Sequence, residues 1–190
     1  MEVTPLEIDG AWVAQSPVWS DDRGTFREWF KFSEVEEKTG ITFGVEQANI
    51  SFSQRGVVRG IHYSLSAAGQ AKWVTCVSGS IIDVIVDIRP TSATFGKHVS
   101  IQLKGGDGRA VLIGKGLGHG FISLENETAV SYLLSSPYSP ADEFEINPFD
   151  PYLGINWALE EPVELHVRMS TKDSTAPSLL DRKNSDLLPK

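Results

Sequence analysis

The sequence predicts an all-β protein, a jelly-roll barrel with a few short helices. Three observations carry that expectation. Short apolar runs alternate with polar residues at period two. These runs recur about every ten residues between glycine-rich turns, the spacing of a sandwich or barrel. Helix signals are scarce.

Taken in order, the first regular element is a helix over Ser33–Thr39. Ser33 is placed to cap its start, Glu36 stands three residues on as a capping box, and Gly40 suits the C-terminal cap. A strand follows in which Gln47, Asn49, Ser51 and Ser53 share one face. From Lys72 to Arg89 the pattern is strand, turn at Val77–Ser80, strand. In the second half Ile82, Val84, Val86 and Ile88 alternate with Asp83, Ile85, Asp87 and Arg89. His98–Leu103 alternates again, and the Gly105–Gly108 turn leads into Ala110–Ile113. Thr128–Leu134 is another short strand, and a short helix falls between Ser178 and Leu188. The tail from Ala158 onward is more polar and is expected to pack on the barrel as an appendage, residues 158–190 of a single 1–190 domain.

Composition bounds the function. The 190 residues carry 17 basic and 25 acidic side chains, a net charge of −8. No basic stripe is visible, which argues against nucleic acid and anionic membranes. It leaves room for an anionic small molecule, because a few convergent arginines suffice for a phosphate. No apolar run approaches the length of a membrane helix, and the N-terminus lacks the pattern of a secretory signal. Cys76 is the one cysteine, so no intrachain disulfide or CxxC site is possible. Together these features predict a cytoplasmic protein.

Four clusters could carry chemistry, and each has a plain structural reading beside the functional one. Asp22-Arg23-Gly24-Thr25-Phe26-Arg27-Glu28 reads first as a surface turn with a solvated ion pair. The polar face of Gln47–Ser53 followed by Arg59 and His62 is either the solvent side of a sheet or a site for phosphates and hydroxyls. Gly114–Phe121 sets four glycines around His119, a tight turn or a place where backbone approaches a ligand. Tyr132, Tyr138 and Glu143 form the fourth, although strand tyrosines are usually packing residues with a polar tip. A metal site is not expected. His62 is followed by Tyr63-Ser64 with no second histidine, and His98 and His166 have no partner at ligand spacing.

Several ordered motifs together resemble the dTDP-4-dehydrorhamnose 3,5-epimerase family. They are Asp22-Arg23-Gly24-x-Phe26-x-Glu28, Gln47-x-Asn49-x-Ser51, Arg59-Gly60-Ile61-His62-Tyr63, Asp83-Val84-x-Val86-Asp87-Ile88-Arg89, Ser92-x-Thr94-Phe95-Gly96-Lys97, the run from Gly118 to Phe121, and Asp150-x-x-x-Gly154-Ile155-x-Trp157. The resemblance extends from about Glu2 to Asp173. It implies a cupin-type jelly-roll homodimer that works without metal or organic cofactor on a dTDP-4-keto-6-deoxyhexose.

By the same resemblance, inversion proceeds next to the C4 ketone through an enolate. His62 is implied as the base, Asp173 as its paired carboxylate, Tyr132 as the acid on the opposite face and Lys72 as the partner of the enolate oxygen. Arg59 and His119 are implied contacts to diphosphate and sugar. Gln47, Asn49, Glu143 and Lys172 are implied nucleotide or sugar contacts, and Tyr138 stacks on the thymine. Arg23, Phe26 and Glu28 belong to the binding set, with Arg23 and Glu28 reaching the neighbouring subunit's nucleotide. Leu133-Leu134-Ser135-Ser136 after Tyr132, and the Gly69–Cys76 segment, look more like relatives that make deoxysugars for antibiotics, some of which invert C3 or C5 alone. The stretch between Trp157 and Lys172 is a few residues longer than in the enzymes of rhamnose synthesis. A 3,4-ketoisomerase and a non-catalytic nucleotide-sugar barrel are the alternatives.

Overall fold

A computed structural model describes residues 1–157 and 166–190. Thirteen strands and three short helices are found there. The strands are β1 (Glu2–Pro5), β2 (Ala11–Gln15), β3 (Trp19–Asp21), β4 (Gly24–Phe26), β5 (Gln47–Ser53), β6 (Val58–Ser64), β7 (Lys72–Ser78), β8 (Ser80–Asp87), β9 (His98–Lys104), β10 (Arg109–Ile113), β11 (Leu117–Ser123), β12 (Thr128–Leu134) and β13 (Glu143–Glu145). The helices are α1 (Phe32–Thr39), α2 (Thr171–Ser174) and α3 (Leu179–Asn184).

Two antiparallel sheets face each other, as the period-two pattern predicts. One has the order β1-β2-β10-β7-β12-β5 and the other β13-β6-β11-β8-β9; β3 and β4 form a separate hairpin. Side chains from both sheets meet between them, where Val74, Cys76, Ile81, Ile85, Val111, Phe121 and Val130 are buried. This is the jelly-roll sandwich expected from the sequence, and residues that alternate along each strand point in or out of it.

Two further apolar layers cover the outer faces. Val35, Phe43, Trp73 and Leu112 pack outside the first sheet, with α1 as a lid. Tyr63, Val84, Val86, Trp157, Leu179 and Leu188 pack outside the second, where the C-terminal segment lies. An alternating strand usually keeps one wet face, yet all eight residues of β8 are buried. The C-terminal cover buries Ile82, Val84 and Val86 on the outer face, while Asp83 and Asp87 share the inward face with Ile81 and Ile85 and are interior for that reason. The expected 158–190 appendage is described from 166 on; residues 158–165 lie outside the described residues.

Three local expectations are corrected. Helix α1 begins one residue earlier than Ser33, and its N-cap, Lys31, makes no side-chain capping bond. Glu36 instead accepts the Thr42 hydroxyl, and the first turn is held by Glu34, which pairs with the Met1 amino group at 2.9 Å. Gly40 does close the helix in the left-handed conformation. Secondly, Gly114–Phe121 is not a ligand-cradling turn; from Leu117 onward it is β11, a fully buried strand. Its glycines let other protein atoms approach: a Cβ at Gly118 would sit 2.6 Å from Ile61 Cγ2, and one at Gly120 would sit 2.8 Å from the Arg59 carbonyl. Thirdly, α2 was not expected at all. Helix α3 falls where the sequence placed it, with Ser178 and Asp181 forming a full capping box.

Candidate active site

The site is a cavity of about 320 Å³ at one end of the barrel, between the sheets. The second sheet contributes Arg59 and His62 from β6. Their three-residue separation would put them on opposite faces of a regular strand. A register shift opposite β11 corrects this: Phe121 pairs with Arg59 and His119 with His62, so β6 carries one extra residue. Gly60 occupies that bulge at φ +117°, and a Cβ there would lie 2.6 Å from the His119 carbonyl and from Gly120 Cα. Only glycine fits.

Arg59 is steadied by the far end of β5, donating from Nε to Ser53 Oγ at 3.1 Å and from Nη2 to the Phe52 carbonyl at 3.3 Å. His62 meets Asp173, with Nε2 and Oδ1 2.7 Å apart. Asp173 arrives from α2 by a local device. Ser170 caps the helix by accepting the Asp173 backbone N–H, which fixes the first turn. The segment before it is pinned to the barrel, since Val58 N–H donates to the Arg168 carbonyl at 2.9 Å and Arg168 N–H to Gly56 at 2.9 Å. Burial pushes the Asp173 carboxyl up. The His62 hydrogen bond and charge, the Ser170 hydroxyl and a Gly60 backbone N–H outweigh it and hold the group below the ordinary carboxylate range. The His62 side chain is 39% exposed while Asp173 is 5% exposed. The carboxylate is thus hidden and the imidazole presented. An Nε2 proton facing the carboxylate leaves Nδ1 as the nitrogen that can accept one.

The first sheet supplies Asn49 from β5, Lys72 from β7 and Tyr132 and Leu134 from β12. They share the inward face because Tyr132 pairs with Asn49 on one side and Val74 on the other. Lys72 donates from Nζ to the His62 carbonyl at 3.5 Å, which sets its ammonium beside the dyad. Burial pushes the Lys72 ammonium down, and the carboxylates of Glu143 and Asp83 oppose that.

At the mouth, Gln70 donates to Glu143 Oε1 at 3.3 Å. Gln47 does not line the cavity. It donates to Asn49 Oδ1 at 2.9 Å and accepts the Tyr138 backbone N–H at 2.7 Å, so it braces two residues that do. Lys172 lines the rim but pairs with Glu145 at 2.8 Å, and Tyr138 stands 56% exposed at the edge.

Four further residues of the expected binding set, two of them expected to reach a neighbouring subunit, do not line this cavity. His119 is buried and does not line the cavity, with Nε2 2.7 Å from Asp83 Oδ2. It is a neighbour of His62 across the strands and not a wall residue. Arg23 and Phe26 line a separate groove on the β3–β4 hairpin, and Glu28 follows it on the surface. Phe26 is 67% exposed. Two residues at the site had been given no role: Ser170 was marked by Ser-x-x-Asp, a helix-start signature, and Gln70 by nothing that distinguishes it. Among the described residues no group of three or more His, Cys, Asp or Glu side chains is placed to hold a metal ion.

A basic nitrogen on one sheet, a phenol on the other and a cation beside them can move protons to and from a carbon acid. That is the equipment of an isomerase of the jelly-roll class. Residues 5–181 match the family described as dTDP-4-dehydrorhamnose 3,5-epimerase, and the chain belongs to that family. It is 41% identical to the dTDP-4-dehydrorhamnose 3,5-epimerase of Mycolicibacterium smegmatis, over 100% of this chain and 91% of the relative. The rmlC epimerase structure from Mycobacterium tuberculosis superposes with a TM-score of 0.95 at 40% identity, covering 100% of this chain and 94% of that one. ChmJ, a 3'-monoepimerase from Streptomyces bikiniensis solved with dTDP-quinovose, superposes at 0.92 with 40% identity, covering 98% and 92%.

Proposed function

We propose that the protein epimerises a dTDP-4-keto-6-deoxyhexose at one carbon next to the C4 ketone, C3 or C5. His62 takes the proton, with Asp173 fixing its tautomer and stabilising the imidazolium. Lys72 faces the enolate oxygen that develops at C4. Tyr132 returns a proton from the opposite face. The observation that carries this reading is the 2.7 Å His62–Asp173 pair on one sheet with Tyr132 on the other, both bordering the same cavity. The scheme calls on no metal or organic cofactor, because base, acid and oxyanion partner are all side chains.

Arg59 serves the diphosphate, Asn49 and Glu143 the sugar or nucleotide, Lys172 the rim, and Tyr138 the thymine ring. The exposed Arg23, Phe26 and Glu28 reach a second copy's nucleotide in a homodimer. The protein works in the cytoplasm, where sugar nucleotides are made and used.

Restriction to one carbon is favoured by Leu134, which lines the wall beside Tyr132. That leucine offers the acid no hydrogen-bond relay on its side for a second protonation. Proton NMR of the product from dTDP-4-keto-6-deoxyglucose tests the reading through ring coupling constants. One inverted centre is expected. Two inverted centres overturn the restriction, and a carbonyl moved to C3 overturns epimerisation in favour of ketoisomerisation.

A further inference from the structure

At the mouth of the cavity stands a glutamine that the scheme above does not use. Gln70 lines the cavity and is only 6% exposed. It lies in the loop that leads from β6 to β7, and its backbone is held in place. The next residue, Ala71, donates its N–H to Ser135 Oγ at 2.8 Å and accepts the Ser135 N–H at 3.0 Å. The Gln70 side chain reaches from this edge of the first sheet to the second. Nε2 donates to the Ser136 carbonyl at 3.4 Å and to Glu143 Oε1 on β13 at 3.3 Å.

Those two partners settle which way the amide faces. A carbonyl and a carboxylate only accept, so the NH2 group must point at them and the amide oxygen is left over. Among the described residues Gln70 Oε1 has no donor, yet it is not sealed off as Ser136 Oγ is. In a residue this buried, an open oxygen opens onto the cavity that the residue lines. The nearby cations are engaged elsewhere: Lys72 with the His62 carbonyl, Lys172 with Glu145, and Arg59 with Ser53 and Phe52. Gln70 Oε1 is therefore an acceptor left for a donor that the ligand brings.

The chemistry of the proposed substrate narrows that donor. Its ionised diphosphate and its ketone only accept. Its donors are the C2 and C3 hydroxyls of the hexose, the deoxyribose hydroxyl and the thymine N–H. Gln70 stands two residues before Lys72, and both line the cavity, so it meets the hexose whose C4 oxygen Lys72 faces. Inversion at C3 swings the C3 hydroxyl to the other side of the ring. The C2 hydroxyl keeps its configuration whether C3 or C5 inverts, so a fixed acceptor can hold it throughout. We propose that Gln70 is a specificity-determining residue: its Oε1 accepts the C2 hydroxyl, and the protein thereby selects a 2-hydroxy hexose over a 2-deoxy one. This rests on the reading of the protein as an epimerase of such sugars.

The test is a two-by-two comparison of kcat/KM. The substrates are dTDP-4-keto-6-deoxyglucose and its 2-deoxy counterpart. The proteins are the unaltered chain and Gln70→Met, which keeps the length of the side chain without the acceptor. The unaltered protein should favour the 2-hydroxy sugar by about tenfold or more, because the 2-deoxy sugar leaves Oε1 unpaired. In Gln70→Met the preference should shrink to about threefold or less, through loss on the 2-hydroxy sugar, while the Kd for dTDP stays within about twofold. No preference in the unaltered protein, or an undiminished one in Gln70→Met, overturns the proposal. So does a larger loss of dTDP binding, which would assign the oxygen to the nucleotide. Gln70→Leu is the second acceptor-free variant, and unfolding of both variants overturns the proposal in favour of a purely structural amide. Absence of turnover of either sugar by the unaltered protein is a separate result: it overturns the epimerase reading itself, and this inference with it.

Discussion

Asp173 and Tyr132 divide the proposed chemistry in a way that single substitutions separate. Asp173→Asn keeps the size of the side chain but no longer demands an N–H from His62, so the basic nitrogen can be lost to the wrong tautomer. A fall in kcat of roughly 10³-fold is expected, with little change in thermal stability. Tyr132→Phe removes the acid and leaves the base. Inversion should fall by about 10²- to 10⁴-fold, while solvent hydrogen still enters at the same carbon with its configuration kept. Equal loss of exchange and inversion would contradict the division. A third residue governs acid stability. Burial pushes the Asp87 carboxyl up, but Arg89, Ser92 and Thr94 outweigh it and bring it to about 2. Because the folded value lies below the unfolded one, its contribution, about 2 kcal/mol, is complete above about pH 4 and disappears as pH falls towards 2. Asp87→Asn should flatten that part of a stability-against-pH curve measured by urea unfolding. His62, Lys72 and Tyr132 were legible in the sequence because their motif neighbours identify them. The burial of Asp83 was not, because an acidic residue alternating with valines reads as the wet face of a strand, whereas its face turns inward between the sheets with Ile81 and Ile85.

At the scale of elements, the closeness of β6 to β11 decides the site. The bulge at Gly60 turns Arg59 and His62 to the same side, and Gly120 lets the partner strand come near enough to pair. Gly120→Ala forces a Cβ to within 2.8 Å of the Arg59 carbonyl and of Ile61 Cδ1. It should cost about 1–3 kcal/mol in chemical denaturation and reduce activity by moving Arg59. Gly44→Ala, with open space around it, should stay within about 0.5 kcal/mol. Equal effects of the two would show that the strand approach does not matter. The strands around β8, β9, β10 and β12 were readable because period two and the intervening turns agree. β11 was misread because glycine signals a turn in isolation, and only the partner strand reveals that it signals contact. Helix α1 shows the limit of capping rules: Ser33 has the right chemistry two residues past the N-cap, Lys31, and Glu34 found the chain terminus instead.

The whole molecule presents an exposed apolar surface that a barrel does not need for itself. Ile50 and Phe52 on the edge strand β5 are 54% and 66% exposed, and Trp19 and Phe26 on the hairpin are 50% and 67% exposed. The homodimer proposed above would cover such residues. Phe52→Glu is expected to shift sedimentation towards monomer and to weaken dTDP binding with it, because a monomer lacks the neighbour's hairpin. A monomer that binds dTDP as well as the unaltered protein would remove the cross-subunit role of Arg23, Phe26 and Glu28. The class of fold was legible at this scale; the three-layer burial was not, since it depends on where the C-terminal segment lies. The proposed activity stands on one event, removal of a carbon-bound proton by His62. The most direct measurement is solvent deuterium incorporation into dTDP-4-keto-6-deoxyglucose in D₂O, followed by proton NMR at C3 and C5, for the unaltered protein and for His62→Ala. Deuterium should enter beside the ketone with the unaltered protein and fall by at least about 10²-fold in the variant. Undiminished exchange in His62→Ala, or none at either carbon in the unaltered protein, would contradict it.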